Sequence, residues 1–429
     1  MTTLTAARWN GVDHDVVRTI RAQVADAMRE ELQRREADGP LDEESRLQLG
    51  FDLIERALAG RDGDRQALAS AVHAEMWGAG RLQRLLDDPL VANIDLYGCD
   101  RVRVTLTSGE VIDGPPVADS DAELEDLVRR LAMHRGALSS RAFDNAHPWV
   151  RLRLPGGSRL SAITAVVARP SVSIRCYRLQ PVNLVDLHGM GGFVDQVGAF
   201  LEAAVRARFN LMISGETFAG KTTLLRALGA DIPLHERIIT VEEFRELGFA
   251  DLRPDGDVVE LEARPANAEG AGAVSMGTLV ELARQQNPDR LIVGEVMGGR
   301  EVLAMLDAMT QGEDGSLSTI HARSSLMVFQ RIASYALTAG LPVQACHLLT
   351  AGALDFVIHL AKRPDSDGRP RRFVQSIREV VGHDGSQVVS SEVFKEAPGF
   401  KQAPAAPITG DRALRLAAAG YDERVWMRP

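Results

Sequence analysis

One short stretch, Gly215-Glu216-Thr217-Phe218-Ala219-Gly220-Lys221-Thr222, constrains this chain more than any other, because four residues separate its two glycines and Lys-Thr follows at once. That spacing needs a buried strand before it and a helix after it. Asn210-Leu211-Met212-Ile213-Ser214 reads as the strand, and Thr223-Leu224-Leu225-Arg226-Ala227-Leu228 as the start of the helix. The glycines let the backbone turn so tightly that successive N–H groups converge, and the helix adds its positive N-terminal end. Such a concave set of donors holds phosphate. Lys221 reaches the β and γ phosphates, the Thr222 hydroxyl holds Mg²⁺, and Gly215 to Thr223 form the cradle. A nucleoside triphosphate with Mg²⁺ is the expected ligand.

Around this loop, apolar strands alternate with helical stretches, the pattern of a parallel sheet covered by helices. The strands are Leu211–Ser214, Arg237–Val241, Leu291–Gly294 and Ser316–His321. The first opens the loop, the second runs into Glu242-Glu243, the third into Glu295, and the fourth ends on His321. Polar residues thus gather at the carboxyl ends of the strands, the edge at which open parallel sheets bind ligands. Leu326–Leu337 and Pro342–Thr350 are helical in period, strands return near Phe356–Leu360, and a hairpin turns at His383-Asp384-Gly385-Ser386. Residues 395–429, with Pro398, Pro404 and Pro407 among alanines, read as a loose tail closing on a short helix, Asp411–Ala419.

The first part of the chain is built differently. Residues 1–77 form a helical extension, with apolar stripes on Val17, Ile20, Val24 and Met28 and on Leu47, Phe51, Ile54 and Leu58, broken apart at Asp38-Gly39-Pro40. Such stripes are the core of a bundle or a surface for a partner. Residues 78–180 read as a smaller α+β domain: strands at Asn93–Tyr97, Val102–Leu106, Trp149–Leu154, Leu160–Val167 and Val172–Tyr177, and a helix from Glu123 to His134. Residues 181–192, with Gly189-Met190-Gly191-Gly192, are a turn-rich, flexible linker to the parallel-sheet domain over 193–394.

With 429 residues, 45% of them hydrophobic, the chain is long enough for two or three domains with real cores. A net charge of −10 argues against coating nucleic acid, which takes a basic surface. Cys99, Cys176 and Cys346 are too far apart for metal-ligand or redox pairing, so inert thiols in a reducing compartment are expected. The start, Met1-Thr2-Thr3-Leu4, has no apolar signal core, and no window approaches the ~18 apolar residues of a membrane span. A cytoplasmic location follows.

Taken together, the phosphate loop, Arg237–Glu243, Pro288–Glu295 and Gly312–Ala322 resemble, in order and spacing, the Walker A loop, acidic box, Walker B strand and histidine box of the type II and type IV secretion ATPases. Gly78–Leu82 with Asp88–Ile94, Leu152–Leu160, Ser173–Arg175 and Leu261–Pro265 fit as well, so the likeness runs from about Gly78 to Phe394. Within the family it is nearest to the pilus-assembly ATPases of tight-adherence systems. The resemblance implies a homohexameric motor. Each subunit would pair an N-terminal domain with a RecA-like ATPase domain across a flexible linker, peripheral on the inner face of the plasma membrane beneath an inner-membrane platform protein. Hydrolysis would swing one domain against the other and drive a pilus, a pseudopilus or protein export.

Hydrolysis of ATP needs charge neutralisation on the γ-phosphate, Mg²⁺ and a placed water. By the resemblance Glu295 acts on Mg²⁺ or its water, Glu242 polarises the attacking water beside Glu243 and Glu246, and His321 contacts the γ-phosphate; the general base is Glu242 or Glu295. Arg153, Arg159, Arg175 and Arg264 are the candidates for an arginine reaching the γ-phosphate from outside the loop's own domain. Some positions depart from the family. Glu216 and Phe218 stand between the loop's glycines, Glu313 begins the histidine box in place of His, Met297 and Gln285 stand where arginines are usual, and Glu243 replaces an Asp. These leave open a nucleotide-gated scaffold that hardly hydrolyses ATP. A RecA-like nucleic-acid translocase is a third reading, which the acidic balance and the family likeness both oppose.

Overall fold

A computed structural model describes residues 12–35, 42–61, 64–133, 142–177, 182–267, 269–312 and 314–422. The predicted break at Asp38–Pro40, the helix end at His134, Pro181 at the start of the linker, and Glu313 lie outside them. Contacts divide the chain into two compact units, Met1–Arg178 with Asn267–Ala271 and Leu179–Ala266 with Gly272–Pro429.

In the first unit, α1 (His14–Arg35), α2 (Glu43–Leu58) and α3 (Arg65–Trp77) pack together. Asp42 and Asp64 cap α2 and α3 by accepting from the amides of Ser45 and Ala67. The core is Val17, Ile20, Val24, Leu49, Leu53, Ile54, Leu58 and Val72, with Met28 half-buried against it. The stripe on α1 is as expected. That on α2 is rotated: Phe51 faces outward and stacks on His73 at 4.7 Å, while Leu49 and Leu53 turn inward.

After α4 (Gln83–Asp87) come β1 (Val91–Tyr97), β2 (Arg101–Leu106), β3 (Val111–Asp113), α5 (Asp121–Met133), β4 (Trp149–Arg153), β5 (Arg159–Ile163) and β6 (Ser171–Arg175). They form an antiparallel sheet in the order β3-β2-β1-β6-β5-β4. One face alternates into the core through Val102, Val104 and Leu106, and α5 contributes Leu124, Leu127, Val128 and Ala132 to the same core.

The second unit runs α6 (Leu184–Gly189), α7 (Asp195–Arg206), β7 (Leu211–Gly215), α8 (Lys221–Ala230), β8 (Ile238–Glu242), α9 (Phe249–Leu252), β9 (Val258–Glu262), α10 (Met276–Arg284), β10 (Arg290–Val296), α11 (Gly299–Thr310), β11 (Leu317–His321), α12 (Met327–Thr338) and α13 (Val343–Ala353). Then come β12 (Phe356–Pro364), β13 (Pro370–His383), β14 (Val388–Ala397), β15 (Lys401–Pro404) and α14 (Gly410–Ala418). The sheet order is β15-β14-β13-β12-β7-β11-β10-β8-β9. From β12 to β9 every pair is parallel; β13, β14 and β15 extend the sheet antiparallel on the β12 side. The fold is therefore α/β, six parallel strands extended by the antiparallel hairpin expected to turn at His383–Ser386. The parallel strands β7 and β8 are buried at every position, as a sheet covered on both faces requires.

Two readings need correction. Residues 395–422 are not a loose tail: β15 pairs with β14, and Ile408, Leu416 and Tyr421 enter the core around Phe200, Phe356 and Phe394. The Pro/Ala composition hid this, since Gln402, which donates to Val374 O at 2.6 Å, carries no apolar signal. The turn-rich stretch before Gly191 contains α6, closed by a capping box between Asn183 and Asp186 and anchored by buried Leu184. Strand β9 was not anticipated, because its side chains are all half-buried and no apolar alternation marks it.

Beneath the sheet, Arg290 and Glu236 form a buried bidentate pair, with Nε donating to Glu236 Oε2 at 2.6 Å and Nη2 to Oε1 at 3.1 Å. Nη2 also donates to Val205 O at 2.9 Å, tying the first residue of β10 to α7. Arg208 Nη1 also donates to Glu236 Oε2 at 3.1 Å, so the carboxylate keeps one partner when Arg290 is replaced. Arg290→Met is expected to lower unfolding free energy by about 1–3 kcal/mol, read by urea denaturation at neutral pH.

Candidate active site

The phosphate loop sits where β7 meets α8. Gly215 lies against the neighbouring strand so closely that a Cβ there would stand 2.6 Å from Leu360 O. Gly220 takes a left-handed φ of 98° as it caps α8. Both glycines are thus required by geometry. Glu216, Thr217 and Phe218 are exposed, Ala219 is buried, and Thr222 and Thr223 are half-buried in the first turn of the helix. The Glu216 side chain faces solvent while its carbonyl serves the loop.

Lys221 is buried at 7% exposure, unusual for a lysine. Its Nζ donates to Glu216 O at 3.2 Å and to His321 Nδ1 at 3.1 Å. An ammonium only donates, so Nδ1 is the lone-pair nitrogen and Nε2 carries the proton. That Nε2 lies 2.8 Å from Glu295 Oε1, close enough for an ion pair but without hydrogen-bond alignment, so Oε1 has no hydrogen-bond donor among the described residues. Lysine, histidine and glutamate from α8, β11 and β10 therefore form one chain of contacts along the carboxyl edge of the sheet.

Glu242 closes β8 and is 3% exposed. Its Oε2 accepts from the amides of Glu246 at 2.7 Å and Leu247 at 2.9 Å. Gly294 on the adjacent β10 makes room for it, since a Cβ there would be 2.9 Å from Glu242 Cγ. Burial pushes this carboxyl up to about 8 despite the two amides. Glu243 and Glu246 beside it are half-buried.

The arginines separate. In the first unit, Arg153 pairs with Arg159 across β4 and β5, and Arg159 with Arg175 across β5 and β6, so three guanidinium-bearing residues form one row. Arg264 belongs to the second unit, just past β9, where its Nε donates to Gly272 O at 2.7 Å. Strand order sets β9 four strands from β7, on the order of 19 Å at roughly 4.8 Å per strand, so Arg264 does not join its own chain's loop. Met297 is 48% exposed after β10, and Gln285 caps the C-terminus of α10.

Several residues at the site escaped the sequence reading. A cleft of about 790 Å³ opens from Gly215, Glu216, Thr217 and His321 onto Arg323, Met327, Gln330, Arg331 and Ser334, mostly on α12. Behind the loop, Ser214 Oγ lies 2.9 Å from Nδ1 of buried His359, whose pKa burial depresses to about 4. Neither group has a motif; only the pairing of β12 with β7 brings His359 opposite Ser214.

The model of the family described as type II/IV secretion system protein matches residues 82–396. The chain belongs to that family. Among relatives of this secretion-system chain, a putative conjugal transfer protein of Mycobacterium tuberculosis is 34% identical over 321 residues, covering 72% of this chain and 87% of that protein. Type IV secretion system protein PtlH of Bordetella pertussis is 30% identical over 280 residues, covering 59% of this chain and 81% of its own. In fold, the secretion-system chain is similar to the Legionella pneumophila ATPase DotB, with a TM-score of 0.52 and 16% identity over 71% of this chain and 81% of DotB. No helix among the described residues is long and apolar enough to cross a membrane.

Proposed function

We propose that the chain is an ATP-hydrolysing motor that works as a homohexamer, docked by an inner-membrane platform protein on the cytoplasmic face of the membrane, and drives assembly of a pilus or pseudopilus or export of protein. The observation that carries this reading is the Lys221–His321–Glu295 chain, with contacts of 3.1 and 2.8 Å, beside a loop whose glycines leave no room for a Cβ or take a left-handed φ. Family membership and the relatives' links to conjugal transfer and type IV secretion support the setting.

The donor set fits a magnesium nucleotide. The loop amides and Lys221 would hold the phosphates, and Thr222 and Glu295 are the oxygens suited to Mg²⁺. Bound there, the metal would neutralise charge on the phosphates. Glu242, a carboxyl of raised basicity at the end of β8, is suited to take a proton from water, and His321, between Lys221 and Glu295, to contact the γ-phosphate. Arg153, Arg159, Arg175 and Arg264 are the candidates for the arginine that stabilises charge on the γ-phosphate.

A nucleotide-gated scaffold is the second reading, favoured by Phe218, a non-glycine residue at φ 63° inside the phosphate loop. Mass photometry and ATP turnover over one concentration series separate the two. In the motor, turnover per chain rises as hexamers replace smaller species. Assembly on Mg·ATP without turnover points to the scaffold, and turnover independent of assembly contradicts the hexameric motor.

A further inference from the structure

Phe218 adopts a left-handed backbone with φ 63°. Glycine takes that conformation without penalty, while a side chain crowds the following carbonyl. With 55% of the phenylalanine exposed, burial offsets little of the strain. Arg372 supplies a hold, its Nε donating to Phe218 O at 2.9 Å. The same side chain lies along Gly220, where a Cβ would meet Arg372 Cδ at 3.5 Å.

Sheet pairing explains how Arg372 comes to be there. His359 and Leu360 of β12 lie opposite Ser214 and Gly215 of β7, and Arg372 of β13 pairs with Lys362, two residues beyond Leu360. The β12–β13 ribbon therefore projects past the last residue of β7 and reaches the loop. Its next residue back, Arg371, serves a different segment by donating to Gly191 O at 2.9 Å.

We propose that Arg372 is a positioning residue of the phosphate loop, clamping Phe218 in the left-handed conformation so that the amides that follow stay aimed at phosphate. This rests on the reading of Gly215–Thr222 as a nucleotide site. Without the clamp, residue 218 relaxes towards negative φ and turns the amides of Ala219 and Gly220 away. A glycine at 218 needs no clamp. Arg372 and Phe218 are therefore coupled, and the loss caused by removing one depends on the other.

Fluorescence titration with an N-methylanthraniloyl ATP analogue and Mg²⁺ tests this on the full chain. Arg372→Ala is expected to weaken binding about tenfold, close to 1.4 kcal/mol. Whatever affinity Phe218→Gly has by itself, the double variant should bind within about twofold of it, a rescue that a merely structural role for Arg372 would not produce. An equal loss in both backgrounds overturns the proposal and makes Arg372 a direct phosphate ligand. Arg372→Ala binding like wild type overturns it too. Wild type that binds no better than Lys221→Ala removes the nucleotide site itself, and the clamp with it.

Discussion

Lys221→Ala is expected to weaken Mg·ATP binding by at least about a hundredfold and to abolish turnover. Two charge-assisted hydrogen bonds to phosphate, each worth roughly 1.5–3 kcal/mol, account for that size. The lysine is already withdrawn from water at 7% exposure and held by Glu216 O and His321, so its position is set before ligand arrives. Preorganisation of this kind makes the charge effective, because no reordering of a flexible side chain is needed on binding. Stability of the free protein should change little, by about 1 kcal/mol or less, since the substitution also removes a buried ammonium. Isothermal titration calorimetry beside a urea melt reads both quantities. A variant that keeps wild-type affinity would mean that the loop does not hold phosphate.

Glu242→Gln should separate stability from activity. Both amides that Glu242 accepts go to a single oxygen, Oε2, and a glutamine oxygen can take its place. The folded carboxyl titrates near 8 against an ordinary 4.5, so the folded state binds an extra proton between those values. The contribution of Glu242 to stability is therefore greatest below about pH 4.5, falls as pH rises to about 8, and then levels off. Glutamine has no such loss. The variant should match wild type at pH 5 and melt higher at pH 8.5, by on the order of 1.4 kcal/mol for each pH unit crossed in the window. Its turnover should fall a hundredfold or more, if Glu242 takes the water's proton. Wild-type kcat/KM should rise with pH towards a plateau above about pH 8. A variant with full turnover would pass the role of base to Glu295.

Legibility of the fold followed how local the cause was. The strand, loop and helix from Leu211 to Ala230 are written in consecutive residues, and the structure forms them at nearly the predicted bounds. Glu242, Glu295 and His321 were also readable as strand ends, because the parallel sheet fixes which end carries ligand chemistry. Arg372 and His359 were not. Their place beside the loop depends on β12 pairing with β7, a contact between residues some 145 positions apart that no short motif encodes. The outward turn of Phe51 has a similar cause. Leu49 and Leu53 offer an equally good helical stripe, and only packing against α1 and α3 decides between them. The tail was misread in part: its closing helix was legible, but the strand Lys401–Pro404 with Gln402 carries no apolar signal, and nothing local shows that Leu416 and Tyr421 join the core.

The central claim is that this edge of the sheet hydrolyses ATP. The most direct measurement is Mg²⁺-dependent phosphate release by the purified chain at concentrations where it is assembled, beside Lys221→Ala and Glu295→Gln. The account predicts steady release by wild type, none by Lys221→Ala, and bound but unhydrolysed ATP in Glu295→Gln. Release that persists unchanged in both variants, or a wild type that binds ATP tightly and never turns it over, would contradict it.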